Sequence, residues 1–394
     1  MNDEDKLKQK LFKAISGLWI IDAHNHIPPE ADRLAMKVDA VSLLKSALAM
    51  KPRERVSASI ERKNFDRLPI KHLAVGEIDE MLCRHFGVDE YNELLDALGN
   101  DFRDVGPRCL DPDLAAEGEK YGDIAAVIWN RFFKLQRPGV EFPLSEISTM
   151  DDLARFEFPE PDLYDYSVFE EQCRRYDNYA RMLGYCALDF LNGLGNLRGF
   201  DRLFLDIGLR DPVFLELVER RFWFMYEYLK CSLEAAKGQI DLIHLADDLG
   251  SQEGLLLSPS TFLELFGDKY REVVELGHRH GAKIMMHVCG SIAGIIPTLI
   301  DLGLDVLDVV QTNAVGMDLT KLKREFGGDL TFSGTMCVQK VIPFGTPAEV
   351  REEVRKTLDL FSEGGLIIGP SHQLQVDSPL ENILEMYRTA GGLS

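Results

Sequence analysis

The fold this sequence predicts is α/β: a (β/α)8 TIM barrel with an N-terminal extension. Three observations predict it. Between residues 240 and 389, short apolar runs alternate five times with amphipathic helical stretches. Each run is apolar nearly throughout, as befits parallel strands covered on both faces. Three of the helical stretches open with a hydroxyl residue before proline, at Ser258-Pro259, Thr346-Pro347 and Ser378-Pro379. Such a pair places a capping oxygen just ahead of a proline preset for the first helical turn. Five consecutive strand–helix units favour a closed barrel over an open sheet.

Strands are expected over 240–246, 283–288, 306–311, 330–333 and 366–369. Helices are expected over 259–280, 292–302, 319–326, 347–362 and 379–389. The first half is less regular. Helices are expected near 5–16 and 40–50, and over 53–62, 77–98, 168–183 and 212–237. Residues 68–75 suit a first barrel strand. Residues 101–166 hold many Pro, Gly and Asp, and are expected to form an excursion over the barrel mouth. The division is thus an extension over 1–50 and a barrel domain over 51–394.

A chain of 394 residues with 45% hydrophobic residues can bury a large core. Its formal net charge of −21 repels phosphate backbones and anionic lipid, so neither nucleic acid nor membrane is an expected partner. No run is long and apolar enough for a spanning helix. The start, Met1-Asn2-Asp3-Glu4-Asp5, is acidic and lacks a signal-peptide core. Seven scattered cysteines do not form a disulfide framework. These features predict a cytoplasmic protein whose important cysteines act as thiolates.

The most informative stretch is His287-Val288-Cys289-Gly290, which ends the apolar run through Ile284-Met285-Met286. Side chains two apart on a strand share a face. An imidazole and a thiol therefore face one spot, and both ligate zinc. Gly290 turns the chain toward a helix beginning near Ile292. Asp247 and Asp248 end the preceding strand, so one of them should face the pocket, and Gln311 ends the following one. Gln311 is placed to hydrogen-bond substrate or a ligand imidazole. The remaining cysteines, Cys83, Cys109, Cys173, Cys186 and Cys231, lack partner spacing and read as packing.

An ordered set of segments resembles the uroporphyrinogen decarboxylase superfamily. It runs from Arg53-Glu54-Arg55-Val56 through Phe65-Asp66-Arg67-Leu68-Pro69 to Leu197-Arg198-Gly199-Phe200. It continues with Asp247-Asp248-Leu249-Gly250-Ser251-Gln252, His287-Val288-Cys289-Gly290 and Gly345-Thr346-Pro347-Ala348-Glu349-Val350, and ends with Asp377-Ser378-Pro379-Leu380-Glu381-Asn382. The resemblance implies a (β/α)8 barrel. Uroporphyrinogen decarboxylase itself is metal-free and grips propionates with an arginine-rich segment. Here the stretch after 68–75 is the acidic Gly76-Glu77-Ile78-Asp79-Glu80.

The His-x-Cys-Gly element is similar to the corrinoid-dependent methyltransferase branch, which binds zinc through a His, a Cys and a third ligand near the last strand. That third ligand is usually Cys. The matching position is His372, in Gly369-Pro370-Ser371-His372, with Cys337 as the alternative. The pattern also favours Asp248 over Asp247 as a ligand, a partner of a ligand or a substrate contact. The implied reaction moves a methyl group between a corrinoid and a small donor or acceptor. Coenzyme M, homocysteine and a folate are candidate acceptors; methoxylated and methylamine-like compounds are candidate donors. The chain lacks the Asp-x-His-x-x-Gly pattern of a cobalamin carrier, so the corrinoid should arrive on a partner protein or as free methylcobamide.

Three readings compete. One is a decarboxylase acting on a porphyrinogen or a smaller acid. Another is a non-catalytic corrinoid-binding role. The third is a metal hydrolase, because Ile20-Ile21-Asp22-Ala23-His24-Asn25-His26-Ile27 resembles the first strand of amidohydrolases. His244, His287 and Asp377 would then be its later ligands.

Overall fold

Seven parallel strands form one curled sheet in the computed structural model, which describes residues 50–115, 124–184 and 188–393. Expectations for residues 1–49, His24 and His26 among them, lie outside the described residues, as does Cys186. The strands are β1 (Phe102–Val105), β4 (Ala180–Leu183), β5 (Leu242–Ala246), β6 (Lys283–His287), β7 (Val306–Asp308), β8 (Thr331–Ser333) and β9 (Leu366–Ile367), adjacent in that order. A separate antiparallel pair joins β2 (Arg108–Cys109) to β3 (Tyr164–Asp165). All these elements lie in the compact unit that begins at Pro52.

The strand expected over 68–75 is instead a pair of single bridges, Ile70 with Ile368 and Ala74 with Leu374. Pro69 has no N–H to give a ladder, which keeps the segment irregular. Its neighbours are still tied on two sides. The Lys71 N–H donates to the Ile368 carbonyl at 2.9 Å, and the Asp101 N–H donates to the Ile70 carbonyl at 2.9 Å.

Period-two alternation sorts the strand residues into two layers. One set, including Ile243, Leu245, Ile284, Met286 and Leu307, joins the large core that also holds the helices' apolar faces. The alternate set, Phe102, Met182, Leu242, Met285, Val306 and Ile367, forms a second cluster with Val56 and Ile60 of the helix Pro52–Ile60. Further along the same strands this inward row turns polar, with His244, His287, Asp308 and Ser333 all buried. That change of chemistry along the row marks the carboxyl ends of the strands, where barrel-type enzymes keep their sites.

The second half follows expectation closely, with shorter bounds. The helix expected over 259–280 carries a π-type turn, Leu263–Gly267, between Pro259–Phe262 and Asp268–Arg279. The helix expected over 292–302 is only Ile296–Asp301, because Gly290, Ser291 and Ile292 are held as a loop. Ser258 and Thr346 cap their helices through Thr261 N–H and Glu349 N–H. Ser378 does not: Pro379 is itself extended at the N-cap position, so the serine stands one residue too early.

The first half requires more correction. Residues 101–166 are not only an excursion, since they contain β1 and the twelve-residue helix Ala125–Gln136. The helix expected over 168–183 is a short helix, Phe169–Arg175, followed by β4. The helix expected over 77–98 is two, Gly76–Phe86 and Tyr91–Ala97, parted by Gly87 in a left-handed turn with φ 68°. Among the described residues no helix is long and apolar enough to cross a membrane.

Candidate metal centre

The register of the sheet assembles this site. His287 lies beside Asp308, and Asp308 beside Ser333, in successive strands. Asp308 is fully buried and accepts four hydrogen bonds. Its Oδ2 takes Lys71 Nζ at 2.9 Å, His244 Nε2 at 3.2 Å and His287 Nδ1 at 3.2 Å. Its Oδ1 takes the Ser333 hydroxyl at 2.6 Å. Burial would raise its pKa, but the Lys71 ammonium and the two imidazoles outweigh burial and hold it well below the carboxylate range. Burial, followed by the Lys71 charge, pushes His244 down to about 4, so that ring is neutral.

The Asp308 carboxylate accepts from His287 Nδ1, which turns Nε2 toward Cys289. Nε2 stands 3.2 Å from Cys289 Sγ. Two donors on one tetrahedral zinc would stand about 3.5 Å apart, given metal bonds of about 2.0 and 2.3 Å. The His372 ring centroid lies 5.5 Å from that of His287. Burial and the neighbouring His287 lower the His372 pKa, which favours its neutral ring. Ligand atoms of His287, Cys289 and His372 all lie within 4.8 Å of one another. Among the described residues a second group meets the same test, His244, His287 and Asp308, but it is fully buried and neither His244 nor Asp308 lines the pocket that Cys289 and His372 line.

Glycine backbone shapes the turn behind Cys289. Gly290 has φ 91°, and a Cβ there would meet the Gly250 carbonyl carbon and oxygen at 2.5 Å. Only glycine permits both the conformation and the contact. The Gly290 N–H donates to Gln311 Oε1 at 2.7 Å, and the Ser291 N–H donates to the Ser251 carbonyl at 2.7 Å. The loop 247–251 is thereby held against the loop that carries Cys289.

Not all of the predicted residues meet. His287, Cys289 and His372 come together; Cys337 is buried and belongs to neither donor group. Gln311 lines the same pocket as Cys289 and His372, and its side-chain oxygen holds the Gly290 backbone rather than an imidazole. Asp248 Oδ2 accepts from Asn192 Nδ2 at 3.1 Å, while its buried Oδ1 has no hydrogen-bond partner among the described residues. Asp247 turns away and accepts the N–H groups of Phe190, Leu191 and Asn192 at the start of the helix Leu191–Arg198. Asp377 lines the pocket, apart from His244 and Asp308. Sequence reasoning missed Lys71 and Asp308. Both stand as lone charges in apolar stretches, Ile70-Lys71-His72-Leu73 and Leu307-Asp308-Val309-Val310, and that was the available sign.

The pocket beside Cys289 and His372 has a volume of about 470 Å³. Half-buried Cys289 and His372 on the wall of such a pocket, with buried His287 behind them, form a donor set that can hold a cation and leave one face for a small molecule.

Residues 198–392 match the uroporphyrinogen decarboxylase (URO-D) family. The methylated-thiol–coenzyme M methyltransferase of Methanosarcina mazei is 27% identical over 156 residues, which is 38% of this chain and 37% of that protein. The matched stretch thus spans little more than a third of that relative's length. A solved methyltransferase structure from Methanosarcina mazei superposes with a TM-score of 0.56 at 16% identity, covering 87% of this chain and 98% of the other. The chain resembles the methyltransferase branch of the uroporphyrinogen decarboxylase superfamily, with an α/β fold of TIM-barrel kind.

Proposed function

We propose, from the premise of a uroporphyrinogen decarboxylase-type chain with methyltransferase relatives, that this protein is a zinc-dependent enzyme. It moves a methyl group between a corrinoid and a small molecule such as a thiol. The observation that carries the reading is the meeting of His287, Cys289 and His372 donor atoms within 4.8 Å at the wall of a pocket. His287, Cys289 and His372 would hold the zinc. The orphaned Asp248 Oδ1 also fits, since a buried acceptor without a donor is costly until a ligand satisfies it. When bound, zinc with three protein ligands supplies an open position that favours the thiolate form of a substrate thiol.

The chain's own residues then do the rest. Asp308 orients His287. Gln311 and the Gly250–Gly290 contact fix the turn behind Cys289. The pocket wall excludes water from one face of the substrate. We also propose that residues 69–74 close the sheet into a barrel and that 1–50 is an appended segment. The corrinoid would come from a partner protein or from free methylcobamide, at a cytoplasmic location.

The decarboxylase reading is weaker because the described pocket lining offers no arginine or lysine for propionates. The test is metal analysis with a spectral assay of methylcobalamin demethylation over an acceptor panel. About one zinc per chain is expected. His287→Ala and Cys289→Ala should each lose both the metal and the spectral change. Full metal content and activity in either variant would overturn the proposal.

A further inference from the structure

The charge of the pocket bears on what it takes. Its lining holds three amides besides Gln311, namely Gln339, Gln373 and Gln375, and one carboxylate, Asp377. Phe344, 76% exposed, adds an aromatic rim. Among the described residues that line the pocket there is no lysine or arginine. Lys71, buried near the donor atoms, is tied to Asp308 at 2.9 Å and leaves no positive charge unbalanced. Asp248 is not in that lining, so Asp377 is its one described carboxylate.

With the zinc charge balanced by the Cys289 and substrate thiolates, an anionic tail entering here would leave water without meeting a lysine or arginine among the described lining residues. A neutral tail would find amide donors and acceptors. A cationic tail would find the carboxylate of Asp377 and the face of Phe344. Resting on the zinc-and-thiol reading above, we infer that the small molecule of this site carries a neutral or cationic tail, a protonated amine being favoured, and that anionic tails are selected against. This sets the chain apart from a relative named for coenzyme M, whose tail is a sulfonate.

The test uses three two-carbon thiols that differ only at the tail: 2-aminoethanethiol, 2-mercaptoethanol and 2-mercaptoethanesulfonate. Each is titrated into the full chain loaded with cobalt(II), reading the thiolate-to-metal charge-transfer band. The amine should bind tightest and the sulfonate weakest, with about a fivefold ratio between them, the upper size of one exposed charge contact. Asp377→Asn should narrow that ratio while the neutral thiol still binds. A sulfonate that binds as tightly as the neutral thiol overturns the inference and leaves the metal reading standing. A metal-loaded protein that shows no band with any of the three overturns the thiolate reading, and this inference falls with it.

Discussion

Strands β5 and β6 and strands β1 and β4 lie in the same sheet, yet they are written in different languages. In β6, Ile284-Met285-Met286 is apolar, and in β5 a single buried histidine, His244, interrupts the run. In β1 and β4 an arginine sits second: Arg103 is 2% exposed and Arg181 fully buried. Arg103 is paired with Asp96, and Arg181 donates to the Cys173 carbonyl at 3.0 Å and lies 3.5 Å from Asp241. A buried strand can therefore carry a charge when its partner comes from elsewhere in the chain. Hydrophobic patterning does not see such partners. The two halves of the sheet should accordingly break in different ways.

The largest expected effect tests this directly. Asp101 is fully buried and gathers Arg55, Arg67 at 2.7 Å and the Ile70 N–H at 2.7 Å. It thus ties the helix Pro52–Ile60 and the irregular segment 69–74 to the start of β1. Asp101→Ala would strand Arg55 without one of its counter-charges, and should destabilise the fold by roughly 3–5 kcal/mol. Ile284→Val, in the apolar half, should cost about 0.5–1.5 kcal/mol. Urea unfolding of both variants checks the contrast. Equal costs would mean that the buried charges of the first half are ornamental to its stability.

The site shows the same divide on a smaller scale. The strand–helix order from 240 onward was legible, because its strands are apolar and its helices amphipathic. So was the pairing of His287 with Cys289, which needs only the period of a strand. The strands β1 and β4 were not legible, because Arg103 and Arg181 break the apolar run. Nor was Asp308, whose partners Lys71, His244 and His287 come from three separate stretches and meet only through strand register. If Asp308 positions His287, then Asp308→Asn should weaken zinc binding about 10–100-fold. Competition with a chromophoric chelator measures it. An unchanged affinity with intact fold would show that the carboxylate serves only to neutralise Lys71.

The smallest effect separates two signals that look alike on paper. Thr346-Pro347 and Ser378-Pro379 both place a hydroxyl before proline. In the first, Thr346 accepts from the Glu349 N–H, and Glu349 Oε2 takes the Thr346 N–H at 2.7 Å, a reciprocal capping box. In the second, the helix Leu380–Thr389 starts one residue later, and the buried Ser378 hydroxyl finds no partner among the described residues. The difference lies in the residues after proline. Glu349 falls third in its helix and can reach back, whereas Glu381 sits second after an extended Pro379 and pairs with no N-cap hydroxyl. Thr346→Ala should therefore cost about 1 kcal/mol, by loss of the cap. Ser378→Ala should be neutral or slightly stabilising, because it removes a buried polar group that no donor or acceptor satisfies. Thermal melts of the two variants decide it: a comparable loss in both would restore Ser378 as a working cap.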